Sequence, residues 1–206
     1  MISRQLLLAT YNQGKLDEIR QLLRYVPFDL RDLNSFRSIK AIEESGSTFV
    51  ENATLKAVGY ATQTRLMTLA DDSGLEVDAL GGCPGVRSAR YAGKGASDAQ
   101  RVEKLLQELS NTPDSDRGAQ FVSAIAISAA DGTILKLCVG ICRGCIARQP
   151  RGAHGFGYDP VFIPDGMDRT FAELGADVKN EISHRAIAVK EAVEFLRSLT
   201  DYSRAG

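Results

Sequence analysis

The chain has 206 residues, 44% of them hydrophobic and 25% charged, which are the proportions of a folded globule and exclude wholesale disorder. Lys and Arg number 25 against 26 Asp and Glu, a formal net charge of −1. That balance argues against general affinity for nucleic-acid backbone and leaves room for discrete phosphate sites. No run approaches the roughly 20 apolar residues of a membrane helix. The N-terminal residues 1–5 lead into only a short apolar run, 6–9, where a secretory signal needs about 7–15. The expected location is cytoplasmic, without membrane contact.

In chain order, a strand is predicted over 5–9, a polar loop over 10–14, and then a helix with Leu16, Ile19, Leu22, Leu23 and Val26 at helical spacing. Thr48-x-x-Glu51 is a capping-box pattern that opens a second helix to residue 63 or so. Residues 66–70 read as a short apolar strand ending in Asp71-Asp72-Ser73-Gly74. Ser97-x-x-Gln100 opens a third helix, with Val102, Leu105, Leu106 and Leu109 on its buried face, and a polar surface turn follows over 110–116. Two strand-like runs, 119–129 and 133–146, are joined by Asp131-Gly132, a strong hairpin signal. A Gly-rich loop over 152–158, a short strand around 161–163 and a helix over 184–199 complete the chain. The expected fold class is α/β or mixed α+β with at least one antiparallel pair. No repeat or linker divides the chain, so 1–206 reads as one domain.

Four segments carry chemistry. Thr10-Tyr11-Asn12-Gln13-Gly14-Lys15 stands between strand and helix, where helix N–H groups and a lysine suit an anion; taken alone, an ordinary turn with a solvated lysine is the simpler reading. It is not a Walker loop, since Ala9 and Leu16 stand at the positions of the first glycine and the hydroxyl residue. Glu43-Glu44 and Asp71-Asp72 are carboxylate pairs suited to a hard cation, and neighbouring carboxylates raise one another's pKa toward general-base duty. Turn and cap chemistry explains them too, and for Glu43-Glu44 alone it is the simpler reading. Gly155-Phe156-Gly157-Tyr158-Asp159-Pro160 flanks an aromatic with glycines, leaving Phe156 open to stack on a flat ring or to serve as core. Lys179-x-x-x-Ser183-His184-Arg185 offers two permanent cations and a titratable ring ahead of the last helix. Cys142-x-x-Cys145 is half of a zinc pattern with no second pair, and reads as strand packing.

Together these segments resemble the inosine triphosphate pyrophosphatase family, the dITP/XTP or non-standard purine NTP pyrophosphatases. The matching blocks are LLATYNQGKLDEI, EESGSTFVENA, ADDSGLEVDALGGCPGVRSARYAG, GFGYDPVF and KNEISHRAIA, in order over nearly the whole chain. The resemblance implies two lobes around a long curved mixed sheet with a central active-site cleft, usually in a homodimer. It implies Mg²⁺-dependent hydrolysis of ITP, dITP and XTP to the monophosphate and pyrophosphate. By position, it places Thr10, Tyr11, Asn12, Gln13, Gly14 and Lys15 on the triphosphate and Glu43 and Asp72 at the metal. Asp72 is also the implied proton acceptor, with Ser73 on substrate beside it. Phe156 is implied to stack on the purine, with Gly157, Tyr158 and Asp159 completing that wall, and Lys179, His184 and Arg185 to bind substrate. Tyr11 departs from the small residue the family more often carries, so its ring is expected to point away from phosphate. Rival readings are a Maf-like pyrophosphatase of modified pyrimidine nucleotides and a non-catalytic nucleotide-binding module.

Overall fold

The structure is a computed structural model that describes residues 5–201. The N-terminal residues 1–4, weighed above as a signal-sequence start, and residues 202–206 of the expected domain lie outside the described residues. The strands are β1 (Gln5–Leu8), β2 (Asp29–Asp32), β3 (Met67–Val77), β4 (Gly118–Ser128), β5 (Ile134–Ile146) and β6 (Phe162–Pro164). The helices are α1 (Gln13–Leu22), α2 (Phe49–Thr64), α3 (Asp98–Glu108), α4 (Phe171–Ile182) and α5 (His184–Asp201). The strands form one sheet in the order β2-β1-β3-β4-β5-β6. β1 runs parallel to β2 and to β3, with Leu6 opposite Met67 and Leu8 opposite Leu69. β5 and β6 are antiparallel, with Cys145 opposite Ile163. The fold is therefore mixed α/β.

The chain groups into two units. The first takes the described residues of Met1–Asp72, Ser123–Gly140 and Arg185–Gly206, and the second takes Ser73–Val122 and Ile141–His184. Unit 1 has its own core, in which Leu6 and Leu8 of β1 meet Leu16, Ile19 and Leu23 of the α1 segment, Leu69 of β3, and Val189, Ala192 and Leu196 of α5. Unit 2 has another, built on Leu75 and Val77, the α3 residues Val102 and Leu105, and the rings of Phe121, Phe162 and Phe171. Alternation along the strands and the 3.6-residue period along the helices place these side chains on single faces.

Local signals set the helix starts. In both predicted capping boxes the reciprocal bonds are made: Thr48 Oγ1 accepts from Glu51 N–H at 3.1 Å, and Ser97 Oγ accepts from Gln100 N–H at 3.2 Å. The Asp131-Gly132 turn closes with Ala129 N–H donating to Thr133 O at 2.8 Å.

Three features differ from expectation. β3 does not end before the acidic pair but continues through Asp71-Asp72 to Val77, so these residues stand in mid-strand and not in a turn. β2 is an edge strand of sequence Asp-Leu-Arg-Asp, with no apolar alternation to announce it. α4, which carries Lys179, is a helix that the sequence pattern does not announce; Gly175 interrupts it at φ +80°.

Candidate functional site

Unit 1 concentrates charge around the middle of β3. The loop after β1 is tied locally: Thr10 Oγ1 accepts from Asn12 N–H at 3.1 Å, and Asn12 Oδ1 accepts from Lys15 N–H at 3.0 Å, capping α1. Gln13 and Gly14 then occupy the first helical turn, where N–H groups lack an intrahelical acceptor. Tyr11 is 56% exposed, its ring set edge-on to Tyr60 with centroids 6.4 Å apart.

Successive residues of a strand point to opposite faces, so Asp71 and Asp72 serve different partners. Asp71 is buried and takes Lys15 Nζ at 2.7 Å on Oδ1; Ser123 Oγ at 2.8 Å and Arg185 Nε at 3.4 Å approach Oδ2. Burial opposes its charge, but Arg185 and Lys15 outweigh burial and hold the carboxyl far below the usual carboxylate range. Arg185, the second residue of α5, is also paired with Glu18 of α1. Burial pushes the Lys15 amine below its ordinary value against the pull of Asp71. Asp72 Oδ1 takes Lys56 Nζ at 2.8 Å, and the same ammonium takes Glu44 Oε1 at 2.7 Å. Here burial wins: it raises the Asp72 carboxyl above the ordinary aspartate value although Lys56 and Lys15 pull the other way. Burial also works against the Lys56 charge, yet Asp72 and Glu44 hold that amine above the usual lysine value. The result is one carboxylate locked as an anion and a neighbour kept basic.

Glu43 is exposed, and it is Glu44 whose carboxylate reaches the lysine that holds Asp72. Among the described residues no group of three or more His, Cys, Asp or Glu side chains is placed to enclose an ion. Asp72 and Glu44, which already converge on one positive charge, nevertheless have the hard-oxygen chemistry of a divalent cation. Mg²⁺ in particular commonly takes only one or two carboxylates and completes its shell with water and phosphate oxygens.

Unit 2 carries the other predicted residues. Lys179 Nζ is buried and paired with Asp159, and lies 4.5 Å from the centroid of the Phe156 ring. Asp159 Oδ2 also accepts from Phe156 N–H at 2.9 Å. Gly155 makes this possible: a Cβ there would stand 2.1 Å from Asp159 Oδ2, on a backbone at φ +77°. Phe156 is half-buried, whereas Tyr158 is buried, its hydroxyl donating to Ser88 O at 3.0 Å, so its contact is with the interior. His184 is buried and stacked on Phe121, with centroids 4.7 Å apart and planes 12° from parallel. Ser73, half-buried, is the residue after Asp72 on β3.

Unit 1 thus brings together Lys15, Asp72 and Arg185, and unit 2 brings together Phe156, Asp159 and Lys179. The sequence does not single out Lys56, Ser123 or Glu18, and it offers Glu44 only as the neighbour of Glu43. Lys56 had a signal: it lies on α2 between Ala53, Ala57 and Tyr60, on the face that is buried. A lysine at that position needs a carboxylate partner. Cys142 and Cys145 both lie on β5, three positions apart and hence on opposite faces, which suits packing and not a shared metal.

The sequence profile of the Ham1 family matches residues 6–195. The chain is 44% identical to a dITP/XTP pyrophosphatase of Bacillus subtilis, over 96% of this chain and 100% of the relative. It is 49% identical to a dITP/XTP pyrophosphatase of Pseudomonas aeruginosa, over 90% of this chain and 93% of the relative. Among solved structures, a HAM1 protein from Coxiella burnetii superposes with a TM-score of 0.86 at 46% identity, covering 95% of this chain and 99% of that one. The Staphylococcus aureus Ham1 protein gives 0.84 at 40% identity, covering 95% and 99%. With the profile and full-length relatives in agreement, the chain belongs to the Ham1 family.

Proposed function

We propose that the protein hydrolyses non-standard purine nucleoside triphosphates, ITP, dITP and XTP, to the monophosphate and pyrophosphate, clearing deaminated purines from the nucleotide pool. The observation that carries this reading is the arrangement on β3: Asp71 anchors Lys15, while its neighbour Asp72 is kept basic beside Lys56 and Glu44. Lysines beside a basic carboxylate are what attack of water on a triphosphate requires: charge neutralisation, positioning and an acceptor for the proton.

In this reading the turn of Thr10, Tyr11, Asn12, Gln13 and Gly14 presents backbone N–H groups to phosphate oxygens, and Lys15 adds a charge. Asp72 accepts the proton of the attacking water, with Ser73 contacting substrate beside it. Lys56 keeps the Asp72 carboxylate oriented. Asp72 and a carboxylate of the acidic loop hold the divalent ion, Mg²⁺; their geometry favours Glu44 over Glu43. When bound, that ion neutralises triphosphate charge and acidifies water. Phe156 stacks on the purine, the Gly157, Tyr158 and Asp159 turn holds that ring in place, and Lys179, His184 and Arg185 contact substrate. A buried donor facing the 6-position is satisfied by a 6-oxo purine and left unpaired by adenine.

The partner expected besides substrate is a second copy. β5 supports it with an exposed apolar row, Leu135, Leu137, Val139 and Ile141, at strand spacing. Such a row on one face suits a self-complementary contact. No helix among the described residues is long and apolar enough to cross a membrane. A cytoplasmic site fits a soluble nucleotide substrate. β3, β4 and β5 each contain residues of both units, which supports treating the chain as one domain. Neither the pyrimidine-nucleotide nor the non-catalytic alternative draws support from relatives named dITP/XTP pyrophosphatase.

The test is a panel of common and deaminated triphosphates with pyrophosphate and orthophosphate both measured. ITP and XTP should release pyrophosphate with kcat/KM at least roughly 100-fold above ATP, and EDTA should stop turnover. IDP with orthophosphate as products would sink the reading of the reaction.

A further inference from the structure

The Ser97–Gln100 cap fixes where α3 begins, and Asp98 is its first residue. One carboxylate oxygen of Asp98 is paired with Arg101 on the next turn, and Arg101 is itself held by Ala89 O at 3.0 Å. The other, Oδ2, accepts from the N–H of Gly157 at 2.7 Å, a residue 59 positions along the chain. A first-turn aspartate favours the helix dipole wherever its side chain points. The dipole therefore does not account for this long-range bond.

The bond falls on the peptide group that follows Phe156. The peptide group that precedes Phe156 is held through its own N–H by Asp159 Oδ2 at 2.9 Å. With both flanking peptide planes fixed, φ and ψ of Phe156 are fixed, and so is the direction of its Cα–Cβ bond. The loop needs such anchors, because Gly155 at φ +77° and Gly157 at φ +62° flank the ring with the most permissive residue type. A groove of about 460 Å³, lined by Asp98, Ala99 and Val102 of α3 and by Pro150, Gly157 and Pro160, separates the helix from the loop.

We infer that Asp98 is a positioning residue for the base platform: through the Gly157 N–H it sets the ring of Phe156. The inference rests on the proposed role of Phe156 in stacking. It predicts an effect confined to the part of a ligand that carries a base.

The experiment compares Asp98→Ala, Asp98→Asn, Phe156→Ala and the Asp98→Ala/Phe156→Ala double variant in the full chain. It measures KM and kcat for ITP, the inhibition constant of inorganic tripolyphosphate, which has no base, and Tm. Asp98→Ala should raise KM for ITP about tenfold, the loss of one charge-assisted hydrogen bond, with kcat and tripolyphosphate inhibition unchanged. Asp98→Asn keeps an acceptor for Gly157 and should recover most of the loss. In the Phe156→Ala background, Asp98→Ala should add nothing. If Asp98→Ala does not fold, Asp98→Ser, which is too short to reach Gly157, reads the same quantities. Equal losses toward ITP and tripolyphosphate, or a normal KM in Asp98→Ala while Phe156→Ala raises it, would overturn this inference alone. A Phe156→Ala variant with normal KM would remove the stacking role and this inference with it.

Discussion

Lys56 and Asp72 are 2.8 Å apart, yet burial still holds the Asp72 carboxyl above its ordinary value of 3.8. The lysine orients the carboxylate without abolishing its basicity. Asp72→Asn keeps the shape and removes the basic oxygen, so kcat should fall by about 10²–10⁴, the usual contribution of a general base. A carboxyl raised in the fold favours the folded state when protonated and loses that contribution as pH rises through the raised value. At neutral pH the charge is therefore a cost, and Tm of Asp72→Asn should hold or rise. In the wild type, kcat should fall on acidification through a value above 3.8. Near-normal turnover in Asp72→Asn retires it as the proton acceptor.

Asp71→Asn should behave in the opposite way, one residue along the same strand. The Asp71 carboxyl is lowered by Arg185 and Lys15, so its contribution to stability is present above the unfolded-state value and lost as pH falls toward the lowered one. Removing its charge leaves Lys15 short of a buried partner and should cost about 3–5 kcal/mol, the range for a broken buried pair. Denaturant midpoints at neutral pH check this; an unchanged midpoint would mean that the cluster does not support the fold.

The acidic loop gives a paired comparison. Glu44→Gln should raise the Mg²⁺ concentration needed for half-maximal activity, because its carboxylate converges with Asp72, whereas Glu43→Gln, at an exposed position, should change it little. Metal titrations of both variants decide the matter, and the reverse ranking would restore Glu43 to the role expected from its position.

Phe156→Ala should weaken binding of purine triphosphates by about 1–3 kcal/mol, the range for a base stacked on an aromatic ring. Isothermal titration with a non-hydrolysable ITP analogue measures it directly. Unaltered affinity would make Phe156 a packing residue whose ring serves only Lys179.

The thiols should react in order of exposure. All four cysteines are free, and Cys83 is exposed. Burial pushes the Cys138 and Cys142 thiols up to about 11, which removes thiolate at neutral pH. A chromogenic disulfide reagent should titrate Cys83 first in the native protein and reach Cys138 and Cys142 only on unfolding. Stoichiometric zinc lost in Cys142→Ser would contradict the packing role of that pair.

What was legible in the sequence was local. Thr48 with Glu51, Ser97 with Gln100, and Asp131-Gly132 each state their geometry within a few residues, and helices and hairpin appear where those signals put them. Asp71-Asp72 could not be placed, because two adjacent carboxylates read as a turn unless Lys15, Arg185 and Lys56 are known to arrive from other elements. Glu44 was undervalued for the same reason: what distinguishes it from Glu43 is Lys56, 12 positions away on a helix. Phe156, Asp159 and Lys179 were each singled out, but the ion pair and ring contact that join them depend on α4, which Gly175 disguised.

The opposed partners of Asp71 and Asp72 also act on how β3 is assembled. A strand that slips by one residue exchanges its two faces. At Leu69 and Ala70 such a slip trades one apolar side chain for another, since both are buried. At the acidic pair it would turn Asp71 away from Lys15 and Arg185 and leave buried cations facing the wrong carboxylate, a penalty no hydrophobic gain in that strand offsets. The charges thus work as a key cut into the middle of the strand, favouring one alignment of β3 against β1 over its one-residue neighbours.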